Sequence, residues 1–98
     1  MRDLFIKTLV EEASKDDRIW LITPDLGFGV LEPFQEKFPN RFLNVGIAEQ
    51  NAVGIAAGLA MSGKIAYVYS IMPFVISRPY EQVKVDCSYM NTHVMLVG

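Results

Sequence analysis

The sequence predicts an α/β fold, an open parallel β-sheet with helices on both faces. Short continuous apolar runs at Ile19–Thr23, 65–70 and Val94–Val97 have the pattern of strands buried on both sides. Segments with apolar residues three and four apart have the pattern of helices packed on one side. The two patterns alternate along 98 residues with no internal repeat, low-complexity tract or linker, so 1–98 reads as one small domain or the N-terminal part of a larger one.

The elements follow in order. Asp3 can cap a first helix running to about Lys15, with Phe5, Ile6, Leu9, Val10 and Ala13 on one face. The polar stretch Lys15-Asp16-Asp17-Arg18 leads into the first strand, Ile19–Thr23. Pro24 stops that strand, and Asp25-Leu26-Gly27-Phe28-Gly29 forms the loop at its end. Glycines at 27 and 29 allow positive φ or a close backbone approach. Pro33 suits the first turn of a short helix ending near Phe38. A second short strand covers 42–45, and a long helix covers 48–61 with Gly63 as its C-terminal stop. The third strand is 65–70. A further helix takes parts of 74–89, started or kinked by Pro79. A fourth strand, Val94–Val97, closes the chain. Gly98 stands where such a domain would enter another loop and helix, so a truncated, incomplete sheet is expected.

Composition narrows the function classes. A hydrophobic content of 51% with 20% charged residues belongs to a core-forming globular chain. A net charge of −2 offers no footprint for nucleic acid or an anionic membrane. The lone cysteine, Cys87, cannot form an intrachain disulfide, and its expected place is the core. No signal-peptide pattern opens the chain, and the most apolar stretch is broken by Glu49, Gln50 and Asn51. The expectation is a cytoplasmic protein that binds neither nucleic acid nor membrane.

That apolar stretch, 45–63, is built from small and apolar residues, and Glu49 is its only ionisable side chain. An unpaired carboxylate buried there would be costly. Glu49 therefore lies at an exposed end, or inside with a partner from outside the chain. It falls in the first turn of the long helix, where free N–H groups and the helix dipole favour an anion. The preceding loop follows a parallel strand, the place where open α/β sheets hold ligands. Gly54, Gly58 and Ser62 recur every four residues, and Ala48, Ala52, Ala56 and Ala60 form another small stripe. Each interior glycine costs roughly 1 kcal/mol against alanine, so a close neighbouring backbone is expected, from the sheet or from a partner subunit.

The run Val-Gly-Ile-Ala-Glu-Gln-Asn-Ala-Val-Gly-Ile-Ala-Ala-Gly-Leu-Ala resembles the signature of the pyrimidine-binding domain of transketolase-type thiamine diphosphate enzymes. It is also similar to 1-deoxyxylulose-5-phosphate synthase and, less closely, to the β subunit of the decarboxylating component of 2-oxoacid dehydrogenases. Thr23-Pro24-Asp25-Leu26-Gly27 resembles the family's Asp-Leu loop, and Arg78-Pro79-Tyr80-Glu81-Gln82-Val83 its Arg-Ala-Tyr-Asp-Gln-Ile pattern.

The resemblance implies that Glu49 is catalytic and cofactor-binding: it hydrogen-bonds N1′ of the thiamine diphosphate aminopyrimidine and favours the tautomer that can take the thiazolium C2 proton. It implies that Phe74 stacks on the pyrimidine and that Asp25 lies near the cofactor and the subunit contact. Arg78 and Tyr80 take structural roles, and His93, which matches no motif, is an ordinary surface or strand-edge residue. Ile71 and Ser77 depart from aromatics common in the family's pocket, and Met72-Pro73 from the small residues common before Phe74.

The family's Gly-Asp-Gly…Asn motif for diphosphate and Mg²⁺ is absent from this sequence. The resemblance thus implies no metal ligand here, with diphosphate and Mg²⁺ held by a partner domain or subunit in a homo- or hetero-oligomer such as a dimer. Two-carbon ketol transfer between sugar phosphates is the implied reaction of the assembled enzyme. Deoxyxylulose-phosphate-type acyloin synthesis, 2-oxoacid decarboxylation and a non-catalytic dimerisation remnant are the alternatives.

Overall fold

The computed structural model describes residues 2–71, 75, 78–84, 86 and 92–98. Strands β1 (Ile19–Thr23), β2 (Phe42–Asn44), β3 (Ile65–Tyr69) and β4 (Val94–Val97) form one sheet in the order β2-β1-β3-β4. Every pairing is parallel: Leu21 stands opposite Phe42 and Tyr67, and Tyr67 opposite Met95. All four strands therefore end on the same side. The chain leaves β1 for β2 on one side, then crosses to β3 on the other.

The two sheet faces sort by the alternation of strand side chains. Ile19, Leu21 and Tyr69, with Phe42, Ile65, Tyr67 and Val97 beside them, meet Ile6, Leu9 and Ala13 of helix α1 (Arg2–Lys15). Val30, Leu31 and Phe34, from the entry to α2 (Glu32–Lys37) and its body, complete that layer. Ile22, Ala66 and Val68, with Leu43, Val94 and Leu96, meet Ala52 and Ala56 of α3 (Glu49–Met61) and Val75. The helices thus cover both faces, as expected.

Boundaries agree closely with the sequence patterns. Asp3 is the exception: α1 begins at Arg2, so Asp3 sits inside its first turn and complements the helix dipole rather than capping it. β2 and β3 end one residue early by pairing, but each ladder runs one bond further, through Val45 N–H to Thr23 O at 3.0 Å and Ser70 N–H to Val97 O at 3.0 Å. Gly27 and Gly29 have φ of 86° and 80°, the positive values their loop predicted. Gly63, at φ 93°, ends α3: its N–H donates to Ala60 O and that of Lys64 to Leu59 O, a Schellman stop.

Of the helix expected in parts of 74–89, the described residues include helical backbone at Val75, the segment α4 (Tyr80–Gln82) with Pro79 at its N-cap, and helical backbone again at 83, 84 and 86. Val75 is buried, and its N–H donates to Ile71 O at 3.0 Å. Met72, Pro73, Phe74, Ser77 and Cys87 lie outside the described residues. His93 is exposed immediately before β4, as expected. Among the described residues, no helix is long and apolar enough to cross a membrane.

Candidate functional site

The site is built where the loops after β1 and β2 meet. Thr23 ends β1 with its hydroxyl turned onto the next loop: Oγ1 donates to Leu26 O at 2.9 Å and accepts from Leu26 N–H at 3.2 Å. Between them Asp25 adopts φ 59°, a left-handed conformation that Asp tolerates better than most residues. Asn44, the last residue of β2, joins this loop to the next. Its Nδ2 donates to Asp25 Oδ1 at 3.0 Å, and its Oδ1 accepts from Gly46 N–H at 3.0 Å.

Gly46, at φ 77°, then turns the chain, and Ala48 N–H donates to Gly46 O at 2.8 Å. α3 begins at Glu49 with Ala48 in the cap position and no side chain capping its first amides. The first turn therefore keeps backbone donors and the positive end of the helix dipole beside Glu49.

Glu49 is 7% exposed, one of few polar residues so deeply placed. Arg78 Nη1 donates to its Oε1 at 2.6 Å, while Oε2 carries no hydrogen bond among the described residues. This pairing corrects the expectation of a partner from outside the chain. The counter-charge comes from 29 residues downstream, because the turn leading into α4 packs against α3. A sequence signal existed: a buried acid calls for a cation, and Lys64, Arg78 and Lys84 are the only ones after α3.

Glu49 and Arg78 border a cleft of about 770 Å³, whose other walls are Ile47, Ala48, Gln50, Asn51, Gly54 and Gln82. That size suits a cofactor fragment. Gln82 was not singled out by sequence reasoning. Its Oε1 is buried without a hydrogen-bond donor among the described residues. Asp25 does not line the cleft; it is held at the β1 end by Asn44. Phe74 lies outside the described residues, so the structure brings together Glu49 and Arg78 but gives no account of the stacking aromatic. Among the described residues no group of three or more His, Cys, Asp or Glu side chains is arranged to hold a metal ion.

The aminopyrimidine of thiamine diphosphate presents ring nitrogens and an amino group on a flat apolar ring. A buried carboxylate with one oxygen fixed by an arginine and the other unengaged, at the wall of a cleft with room for a ring, fits that group.

The chain is similar to known proteins along its whole length. The profile described as "Transketolase, pyrimidine binding domain" matches residues 1–98. The chain is 49% identical over 82 residues to an apulose-4-phosphate transketolase subunit from Actinobacillus succinogenes, covering 84% of this chain and 26% of that protein. It is 38% identical over 99 residues to the 6-deoxy-6-sulfo-D-fructose transketolase subunit SqwH of a Clostridium species, covering 100% of this chain and 31% of that one. Similarity extends to the 1-deoxy-D-xylulose-5-phosphate synthase of Cytophaga hutchinsonii, 42% identical over 95 residues, which are 96% of this chain and 15% of that enzyme. A solved structure described as a split gene transketolase, inactive beta4 tetramer, superposes with a TM-score of 0.88 at 34% identity, over 97% of this chain and 32% of that one. The chain thus spans about a third or less of each of these proteins. With this match over its whole length, and with helices on both faces of a parallel sheet as in its structural neighbour, the chain belongs to the transketolase pyrimidine-binding domain family.

Proposed function

We propose that this chain supplies the pyrimidine-binding half of a transketolase-like thiamine diphosphate enzyme that moves a two-carbon ketol unit between sugar phosphates in the cytoplasm. Glu49 carries the reading: it is a buried carboxylate at the first turn of α3, on the wall of a cleft large enough for an aminopyrimidine. Thiamine diphosphate, when bound, supplies an acidic thiazolium carbon that adds to a substrate carbonyl. Glu49 shares a proton with N1′ of the ring. Arg78, bonded to Oε1, keeps the carboxylate oriented so that Oε2 serves the ring. Phe74 packs on the pyrimidine face, and Asp25 serves cofactor binding from the loop after β1, near the subunit contact. Diphosphate and Mg²⁺ belong to a partner domain or subunit carrying a Gly-Asp-Gly…Asn motif.

Oligomerisation follows from a site made in two halves. The structural neighbour is a tetramer of β chains described as inactive, which supports self-association of this chain without turnover. Similarity to 1-deoxy-D-xylulose-5-phosphate synthases supports acyloin synthesis as a second reading, which product analysis separates from ketol transfer.

Calorimetric titration of thiamine diphosphate with Mg²⁺ tests the proposal, into this chain alone and into its mixture with the candidate partner. Weak or no binding by the chain alone, binding in the mixture, and loss of turnover in Glu49→Gln are expected. Tight binding by the isolated chain contradicts the two-part site. Near-normal turnover in Glu49→Gln contradicts the role of the carboxylate.

A further inference from the structure

Glu49 is the first residue of α3, and a helix start lacks the intrahelical bonds that hold its interior. Ala48 before it has φ −151° and ψ 70° and offers no side-chain oxygen to the first amides. Such an end frays unless the chain ahead of it is held. Here a series of bonds holds it. Asn44 Oδ1 accepts from Gly46 N–H at 3.0 Å, Gly46 O from Ala48 N–H at 2.8 Å, and Ala48 O from Ala52 N–H at 2.9 Å. The last of these spans Glu49. The other end of the Asn44 amide is engaged too: Nδ2 donates to Asp25 Oδ1 at 3.0 Å, which fixes the amide with its oxygen toward Gly46. Asn44 is exposed, so water could serve both ends, yet the chain uses both.

We propose that Asn44 is a positioning residue for Glu49. It does from upstream what a capping side chain does at other helices, and Asp25 orients it. Without the Asn44 amide, Gly46 N–H turns to water and the 45–48 turn loosens. The Glu49 carboxylate then loses its fixed aim at Arg78 and at the cleft. Asp25 acts on Glu49 through this amide, whatever else it touches. Where cofactor is concerned, the inference rests on the function proposed above; the hold on the Glu49–Arg78 pair does not.

The test has two arms. In the first, without cofactor, urea unfolding of the full chain measures the coupling between Glu49→Ala and Arg78→Ala, a cycle in which any other contact of Arg78 cancels. The cycle is repeated in Asn44→Ala and in the exchanged pair Asn44→Asp with Asp25→Asn, where both hydrogen bonds can form with donor and acceptor traded. Coupling of about tenfold in the unfolding constant is expected in the wild type and the exchanged pair, and within a factor of about two in Asn44→Ala. Equal coupling in wild type and Asn44→Ala, or an exchanged pair no better than Asn44→Ala, overturns the inference. In the second arm, thiamine diphosphate with Mg²⁺ is titrated into the chain assembled with its partner. Asn44→Ala is expected to weaken binding about fivefold when Glu49 is present and to leave it unchanged in a Glu49→Ala background. A chain that is merely less stable would instead show a smaller active fraction at unchanged affinity. Equal loss with and without Glu49, or no loss in either, overturns the inference and leaves the proposed function standing. No wild-type binding at all overturns the proposed function, and the coupling in the first arm then decides the role of Asn44.

Discussion

The Arg41 guanidinium donates to three backbone carbonyls, Ala13 O at 3.2 Å, Asp16 O at 3.1 Å and Ile19 O at 3.3 Å, and lies 4.1 Å from the Phe38 ring centre. These carbonyls include the open end of α1 and the start of β1, and Arg41 adds a donor to each. Arg41→Ala is expected to cost roughly 2–3 kcal/mol, and Arg41→Lys to recover less than half, because an ammonium cannot match the planar fork; urea denaturation measures both. Nearby, Arg18 Nε and Nη2 hold both Asp16 oxygens at 3.0 and 2.7 Å, and the carboxyl is pulled from its ordinary 3.8 to about 2. A depressed carboxyl pKa stabilises the fold above about pH 3.8 and loses that contribution as pH falls through about 2. The pH dependence of stability between 5 and 2 should therefore be shallower in Asp16→Asn. The Asp16–Arg18 pair was open to reading from adjacency in the chain. Arg41 was not, because its three acceptors lie 22 to 28 residues away and are backbone atoms.

At the scale of elements, α3 separates two small-residue stripes that look alike in sequence. Ala52 and Ala56 are buried against the sheet, so the close approach expected of a small-residue helix is met there by alanines, and Val53 and Ala57 are buried as well. The glycines take no part in it. Among the described residues, a Cβ at Gly58 meets nothing within 4 Å, and one at Gly54 meets only Asp86 Oδ2 at 3.9 Å, an ordinary contact. Gly58→Ala should therefore stabilise the isolated chain by about 1 kcal/mol in thermal or urea unfolding. If the glycine stripe packs against another subunit, the same substitution should also weaken assembly, read by analytical ultracentrifugation at matched concentrations. The α3 bounds were legible from its apolar content and from Gly63, whose positive φ a Schellman stop requires. Which stripe faced inward was not, since both consist of residues too small to show a preference. The Glu49–Arg78 pair escaped prediction for the same reason as the Arg41 contacts: it joins elements far apart in sequence.

Across the whole molecule, β1 and β3 each have a strand on both sides, whereas β2 and β4 lie at the sheet's edges. Leu21, Ile22, Ala66 and Val68 are at most 1% exposed, while the β4 residues are all only half-buried. Native-state hydrogen exchange is expected to leave the amides of β1 and β3 protected longest, with those of β2 and β4 exchanging well ahead of them. Strand alternation carried most of the architecture, because residues at odd and even positions of β1 and β3 divide cleanly between the two cores. Strand order needed the structure: four similar apolar runs do not state which of them is central.

Asn44 ties the loop after β1 to the turn before α3 through one side chain, accepting from Gly46 and donating to Asp25. A single amide group thereby makes two separate crossovers share one mechanical fate. A partner surface pressing on Asp25 would be felt at the first turn of α3 without touching it, and docking and the aim of the Glu49 carboxylate become parts of one movement. With aspartate in place of Asn44 the acceptor for Gly46 would survive while the donor to Asp25 became a repelling charge, and that linkage would come apart at its centre.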